Sequence, residues 1–185
     1  MKKMNVFCTA LMTTLLLVGS AHAIDLDYKN CSSADKTAIR DAVVWLKNNM
    51  SKLDAKMGKN KLMNWPGKSR NKFVKKLDKK LKFVCKNDSK KCQPNEDGTV
   101  LFGQVVPVFK QRTIQLCTQN FSGHQHHFVG TIAHEIAHLI RLNAHRLKCK
   151  DKYTKPRFSQ SVGLAAKHAY KNTAYNSSDY TKNCP

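Results

Sequence analysis

Glutamate is nearly missing from this chain: Glu96 and Glu135 are the two it has, and acids of both kinds number 12 against 33 lysines and arginines in 185 residues. A surface so poor in negative charge concentrates near anionic polymers, acidic proteins or anionic membrane surfaces, and salt weakens that attraction. Long apolar runs are scarce too. Beyond Val18 no stretch approaches the roughly 20 apolar residues a membrane span needs, so a membrane-spanning protein is not expected. The basic residues carry no nucleic-acid-binding motif and no regular aromatic interleaving, which argues against specific DNA or RNA recognition. They read first as a solvated lysine-rich face. Internal repeats and low-complexity segments are also missing, which excludes solenoids and disordered linkers.

What is present begins with an address. Met1-Lys2-Lys3, the apolar run Val6 to Val18, and Gly19-Ser20-Ala21-His22-Ala23 are the three parts of a secretory signal peptide with cleavage after Ala23. The expected mature protein is residues 24–185, one domain, exported to the periplasm or the medium. Removal of Lys2 and Lys3 takes its charge to 21 − 2 = +19. Cys8 leaves with the signal, and Cys31, Cys85, Cys92, Cys117, Cys149 and Cys184 remain. An even number in an exported chain reads as disulfides before thiolate metal ligands. Spacing suggests Cys85 with Cys92 across a short polar loop, and Cys149 with Cys184 at the C-terminus.

Ser32 and Ser33 offer N-caps to a helix from Ala34, in which Ile39, Val43, Leu46, Met50, Leu53 and Met57 form one apolar stripe ending near Gly58. Trp65-Pro66-Gly67 is a turn, and a second helix is predicted from Ser69 to Val84, with Phe73, Leu77 and Leu81 four apart. Thr99 to Cys117 turns extended, in β-branched and aromatic runs that predict a small hairpin-like sheet. A helix follows from about His127 to Leu142, with Asn143 as left-handed terminator, and a last helix from Ser161 to about Thr173.

The stretch that carries chemistry is His134-Glu135-Ile136-Ala137-His138. Four-residue spacing on a helix puts both imidazoles on one face, one turn apart, able to grip one zinc ion. Glu135 stands beside that face, where it can deprotonate a water. The chain's own His and Glu frequencies give a chance expectation for the pattern on the order of 0.01 or less. A catalytic zinc takes three protein ligands and keeps one position open. Downstream of His138 the candidates are Asp151, Asp179, His145 and His168. No glutamate follows Glu135, and His145 comes one residue too late for a third histidine at metzincin spacing, which also needs glycine where Arg141 stands. Elimination leads to Asp151, with His145 in reserve. Cys149 is a weaker ligand candidate, since oxidation competes for its thiol. Ser122-Gly123-His124-Gln125-His126-His127 reads as a solvated loop before the helix, with a second metal site or a substrate rim as the alternatives.

With Ile114-Gln115-Leu116-Cys117 before the motif helix, Trp65-Pro66-Gly67 ahead of a helix containing Arg70, and the ending Ala174 to Tyr180, the chain resembles the aspzincins, the deuterolysin and lysine-specific metallo-endopeptidase group. The resemblance implies an α+β, zincin-like fold, mainly helical, with a small sheet or hairpin before the motif helix and disulfides for stability. It implies one zinc per chain on His134, His138 and an aspartate, here Asp151. Glu135 is then general base and acid, and Tyr153 is the nearest match to a tyrosine that stabilises the oxyanion. The acids that receive lysine in lysine-specific members are displaced to Asp179 or replaced by Thr181, so the resemblance does not decide that specificity. The expected protein is a monomeric secreted zinc metallo-endopeptidase acting on protein or peptide. Two rivals are a cationic toxin-like factor binding anionic surfaces, and a zinc hydrolase of cell-wall peptides.

Overall fold

A computed structural model describes residues 24–58, 65, 68–96, 98, 100–108, 111–142 and 158–174. Among these the architecture is α+β: five α-helices and a four-stranded mixed sheet, with two disulfides. Strand β1 (Leu26–Lys29) leads into α1 (Ser33–Asn48), α2 (Met50–Gly58) and α3 (Ser69–Leu77). Strands β2 (Leu81–Cys85), β3 (Gly103–Val108) and β4 (Gln111–Leu116) follow, then α4 (Gln125–Leu139) and α5 (Phe158–Lys171).

The first helix begins as its sequence dictates. Ser32 caps it: its side chain accepts the Asp35 N–H at 3.1 Å, and the Asp35 carboxylate accepts the Ser32 N–H at 3.2 Å. The expected single helix is broken in two at Asn49. Asn49 leaves helical geometry, with φ of −122° and ψ of 28°, and its side-chain amide donates to the Trp45 carbonyl at 2.9 Å beside its own backbone N–H before α2 resumes. The apolar stripe survives the break, with Ile39, Val43, Leu46, Leu53 and Met57 buried.

The second predicted helix is corrected more deeply. It stops at Leu77, and Leu81–Cys85 is a strand. Leu81 fits a four-residue helical repeat, but Leu81, Phe83 and Cys85 also alternate, and they are the buried residues of β2. Strands on both sides decide between the two periods, since β1 and β4 take the backbone hydrogen bonds of β2. The predicted hairpin is present as β3 and β4, antiparallel with Val105 opposite Ile114, and it is half of a larger sheet ordered β1-β2-β4-β3.

Parallel pairing of β1, β2 and β4 brings their C-terminal ends to one end of the sheet. That placement corrects the expected Cys85–Cys92 bridge. Cys85, closing β2, bonds Cys31 just after β1, while Cys92 bonds Cys117 just after β4, with Cα separations of 5.0 Å and 5.3 Å. Cys149 and Cys184 lie outside the described residues. Disulfides of this kind persist in oxidising compartments. Among the described residues, no helix is long and apolar enough to cross a membrane.

The core sits between the sheet and the helices, and α4 runs through it against α1, α5 and β3. Phe128, Val129, Ile132, Ala133, Ile136 and Ala137 of α4 are all buried. Trp65 is pinned nearby: its indole N–H donates to Asp54 at 2.9 Å, and Arg70 closes on the same carboxylate from 2.7 Å.

Candidate functional site

Helix α4 starts two residues earlier than its sequence pattern predicts, at Gln125, and ends at Leu139. Arg141 takes the left-handed conformation after it, with φ of 68°, while Asn143, the expected terminator, lies outside the described residues. The Leu142 N–H reaches back to the Ala137 carbonyl at 3.0 Å and the Arg141 N–H to the His138 carbonyl at 2.9 Å, which satisfies carbonyls the helix leaves over.

On this helix His134 and His138 share one face, and their Nε2 atoms are 3.1 Å apart with the rings nearly perpendicular at 84°. Two ligands of a tetrahedral zinc with bonds of 2.0–2.1 Å stand about 3.3 Å apart. The pair therefore fits a single zinc ion with a small adjustment. Among the described residues no third His, Cys, Asp or Glu completes a group of three. Asp151, the expected third ligand, lies outside them, as do His145, Cys149 and Tyr153.

Glu135 is the second half of the site. It is 2% exposed, one of its oxygens lies 4.0 Å from His134 Nε2, and the other, Oε2, is buried without a hydrogen-bond partner. Burial raises its pKa from 4.5 to about 8, against the smaller opposite pull of a hydrogen bond from the Val105 backbone in β3. An orphaned buried carboxyl oxygen beside two converging imidazoles is the arrangement expected where a cation and a water belong.

The site opens on a cavity of about 290 Å³ between β3, α4 and α5. Phe102 and Gly103 come from the strand side, His127, Gly130, Thr131, His134 and Glu135 from α4, and α5 adds Gln160, Gly163, Leu164 and Lys167. The two helices touch backbone to backbone. A Cβ on Gly163 would stand 2.8 Å from the Gly130 carbonyl oxygen and 2.9 Å from His134 Cβ, so glycine there lets α5 lie directly against the helix that presents the histidines. Sequence reasoning did not assign α5 to this site. Its signal was the spacing of Gln160, Gly163, Leu164 and Lys167 on one helical face, but nothing in the sequence told which helix that face met.

The three histidines ahead of the motif belong partly to the same cavity. His126 and His127 lie in the first turn of α4, not in a loop, and His127 stacks on Phe102 with the rings 5° from parallel. Burial first, and then the charge of Lys167, lowers its pKa from 6.5 to about 4. His126 is shifted down by the same two causes in the same order. The rings of His124, His126 and His127 neighbour one another, but no set of three metal donors forms among the described residues, so the rim alternative describes His127 better than a second metal site.

Strand β4, which ends just before Cys117 and precedes the motif helix, is interior, paired on both sides by β2 and β3, and so has no edge to offer an extended peptide. The edge beside the cavity is β3. Compared with known proteins, the chain matches no family model, no curated protein and no solved structure.

Proposed function

We propose that this chain is an exported, zincin-like zinc metallo-endopeptidase of the aspzincin kind. The observation that carries the reading is the pairing of His134 and His138, Nε2 to Nε2 at 3.1 Å, with the buried Glu135 carboxyl alongside. His134 and His138 hold one zinc per chain, and Asp151 is the third ligand, with His145 as its alternative. Zinc in such a site supplies Lewis acidity toward a water molecule and toward the scissile carbonyl.

The chain's own residues do the rest. Glu135 takes the proton from the attacking water and passes it to the departing amine. Its buried setting suits that exchange, because burial raises its proton affinity toward that of the groups it trades with. Strand β3, the edge strand among the described residues, offers that edge to an extended peptide by β-augmentation, and the cavity receives a neighbouring side chain. Tyr153 is proposed to face the developing oxyanion. Residues 1–23 serve as the export signal, and the disulfides suit the compartment it leads to.

The test is purified mature protein assayed for bound metal and incubated with casein and with purified cell wall, each with and without chelator. One zinc per chain and casein cleavage abolished by chelator and by Glu135→Gln are the expected results. Protein that holds no zinc, or cleavage that survives both treatments, defeats the proposal. Chelator-sensitive release from cell wall alone would reassign the substrate.

A further inference from the structure

The cavity beside Glu135 has a direction. His127 and His134 are seven residues apart on α4, about 10 Å at 1.5 Å per residue. Gly163 of α5 lies at the His134 end, in contact range of His134 Cβ. Lys167, one turn further along α5, lies toward the His127 end. Its Cβ is 3.1 Å from the place a Cβ on Gly130 would take, and its positive charge is felt by both His126 and His127. Phe102 and Leu164 line the space apolarly, and Glu135 is the sole acid among the described residues that line it. That acid is buried at the reacting end.

We infer that this cavity is a side-chain subsite selective for a carboxylate, with Phe102 and Leu164 against the methylenes and Lys167 receiving the charge at the far end. About 10 Å accommodates a residue next to the reacting carbonyl, its extended glutamate-length side chain, and a lysine ammonium reaching from the opposite wall. The polarity is opposite to that of a lysine-accepting pocket, which needs an acid where this one has Lys167. The whole chain agrees with the choice. Its excess of 33 basic over 12 acidic residues draws anionic substrates toward the site, and an enzyme that selects acids meets fewer targets in itself than one that selects bases. The carboxylate can belong to an Asp or Glu side chain or to a peptide's own C-terminus.

The inference rests on the hydrolytic reading for its kinetic arm only. In that arm, matched fluorogenic peptides carrying Glu, Gln or Lys at each position flanking the cleaved bond, as free acids and as C-terminal amides, are compared by kcat/KM. Wild type is expected to favour Glu over Gln by about tenfold at one position, the size of a charge-assisted hydrogen bond in a partly buried site. Lys167→Met should bring that ratio near one, and Lys167→Glu should turn the preference toward Lys. A preference kept by amidated peptides assigns the side chain, and one lost on amidation assigns the C-terminus. In the second arm, fluorescence anisotropy follows labelled Glu and Gln peptides binding to Glu135→Gln protein, with and without Lys167→Met. Cleavage without acid preference, or with a preference that Lys167→Met leaves intact, overturns the subsite while hydrolysis stands. Acid-selective binding lost in Lys167→Met without cleavage of any peptide sinks the peptidase and keeps the subsite. Neither binding preference nor cleavage sinks both.

Discussion

Glu135 should cost the metal-free chain stability, and the cost should depend on pH. Its carboxyl ordinarily titrates at 4.5 and is pushed by burial to about 8. Below pH 4 it is protonated in folded and unfolded chains alike. Between these values the folded chain keeps a proton that the unfolded chain releases, so stability falls as pH rises from about 4.5 through about 8. At about 1.4 kcal/mol per pH unit, roughly 4 kcal/mol is lost by pH 8. His127 opposes this over part of the range. Its pKa drops from 6.5 to about 4, so between those values the unfolded chain binds the extra proton and stability rises with pH. The two slopes offset each other between about pH 4.5 and 6.5, and the loss from Glu135 emerges above that. Glu135→Gln removes the carboxyl and leaves His127 in place. Urea unfolding of wild type and variant in excess chelator, from pH 4 to pH 9, should show a difference near zero at pH 4 that grows to about 4 kcal/mol in the variant's favour at pH 8. A difference that stays constant with pH, or a variant less stable at pH 8, would refute the account of Glu135 as a buried, poorly compensated carboxyl.

Two further substitutions probe the scaffold around the histidines. Gly163→Ala forces a Cβ to within 2.8 Å of the Gly130 carbonyl oxygen. It should destabilise the fold by about 1–3 kcal/mol and weaken zinc binding roughly tenfold by displacing α5 from His134, as chelator competition would show. A variant as stable and as avid for zinc as wild type would mean that α5 does not brace the site. Arg141→Gly relieves a non-glycine residue at φ of 68° after α4 and should stabilise the chain by roughly 0.5–1 kcal/mol, read as a rise in Tm of about 2 °C. A lower Tm would mean that the Arg141 side chain contributes more than its backbone strain costs.

The part of this molecule legible in its sequence is the part governed by neighbours along the chain. The capping serine at Ser32, the hairpin of β3 and β4, and the helical spacing of His134 and His138 all follow from residues a few positions apart. Misreadings concentrate where distant segments decide. Leu81 fits two periods at once, and only the strands beside it select the extended one. The cysteine partners depend on which strand ends lie side by side, which parallel pairing determines and loop length does not. Strand β4 cannot be told from an edge strand until β2 is known to be a strand at all. His127 lies seven residues before His134 and so on its face of the helix, but at the predicted boundary it reads equally as the last residue of a loop, and α4 beginning at Gln125 places it inside the first turn.

The order of strands in the sheet also has a consequence for how the chain reaches its folded form. β1 pairs with β2 across the whole of α1, α2 and α3, whereas β3 and β4 are neighbours in the chain. Distant pairings form slowly because the intervening loop must be closed before any contact rewards it, while helices and hairpins form within microseconds. The histidine-bearing helix and the hairpin beside it are thus local elements available early, and the N-terminal half of the sheet that backs them closes late. During that interval β2 has no partner on the β1 side, and β4 and its hairpin present a long unpaired edge to other chains in the same state. The chain's 33 lysines and arginines greatly outnumber its 12 acids, and the mutual repulsion of such chains works against edge-to-edge association until β1 arrives.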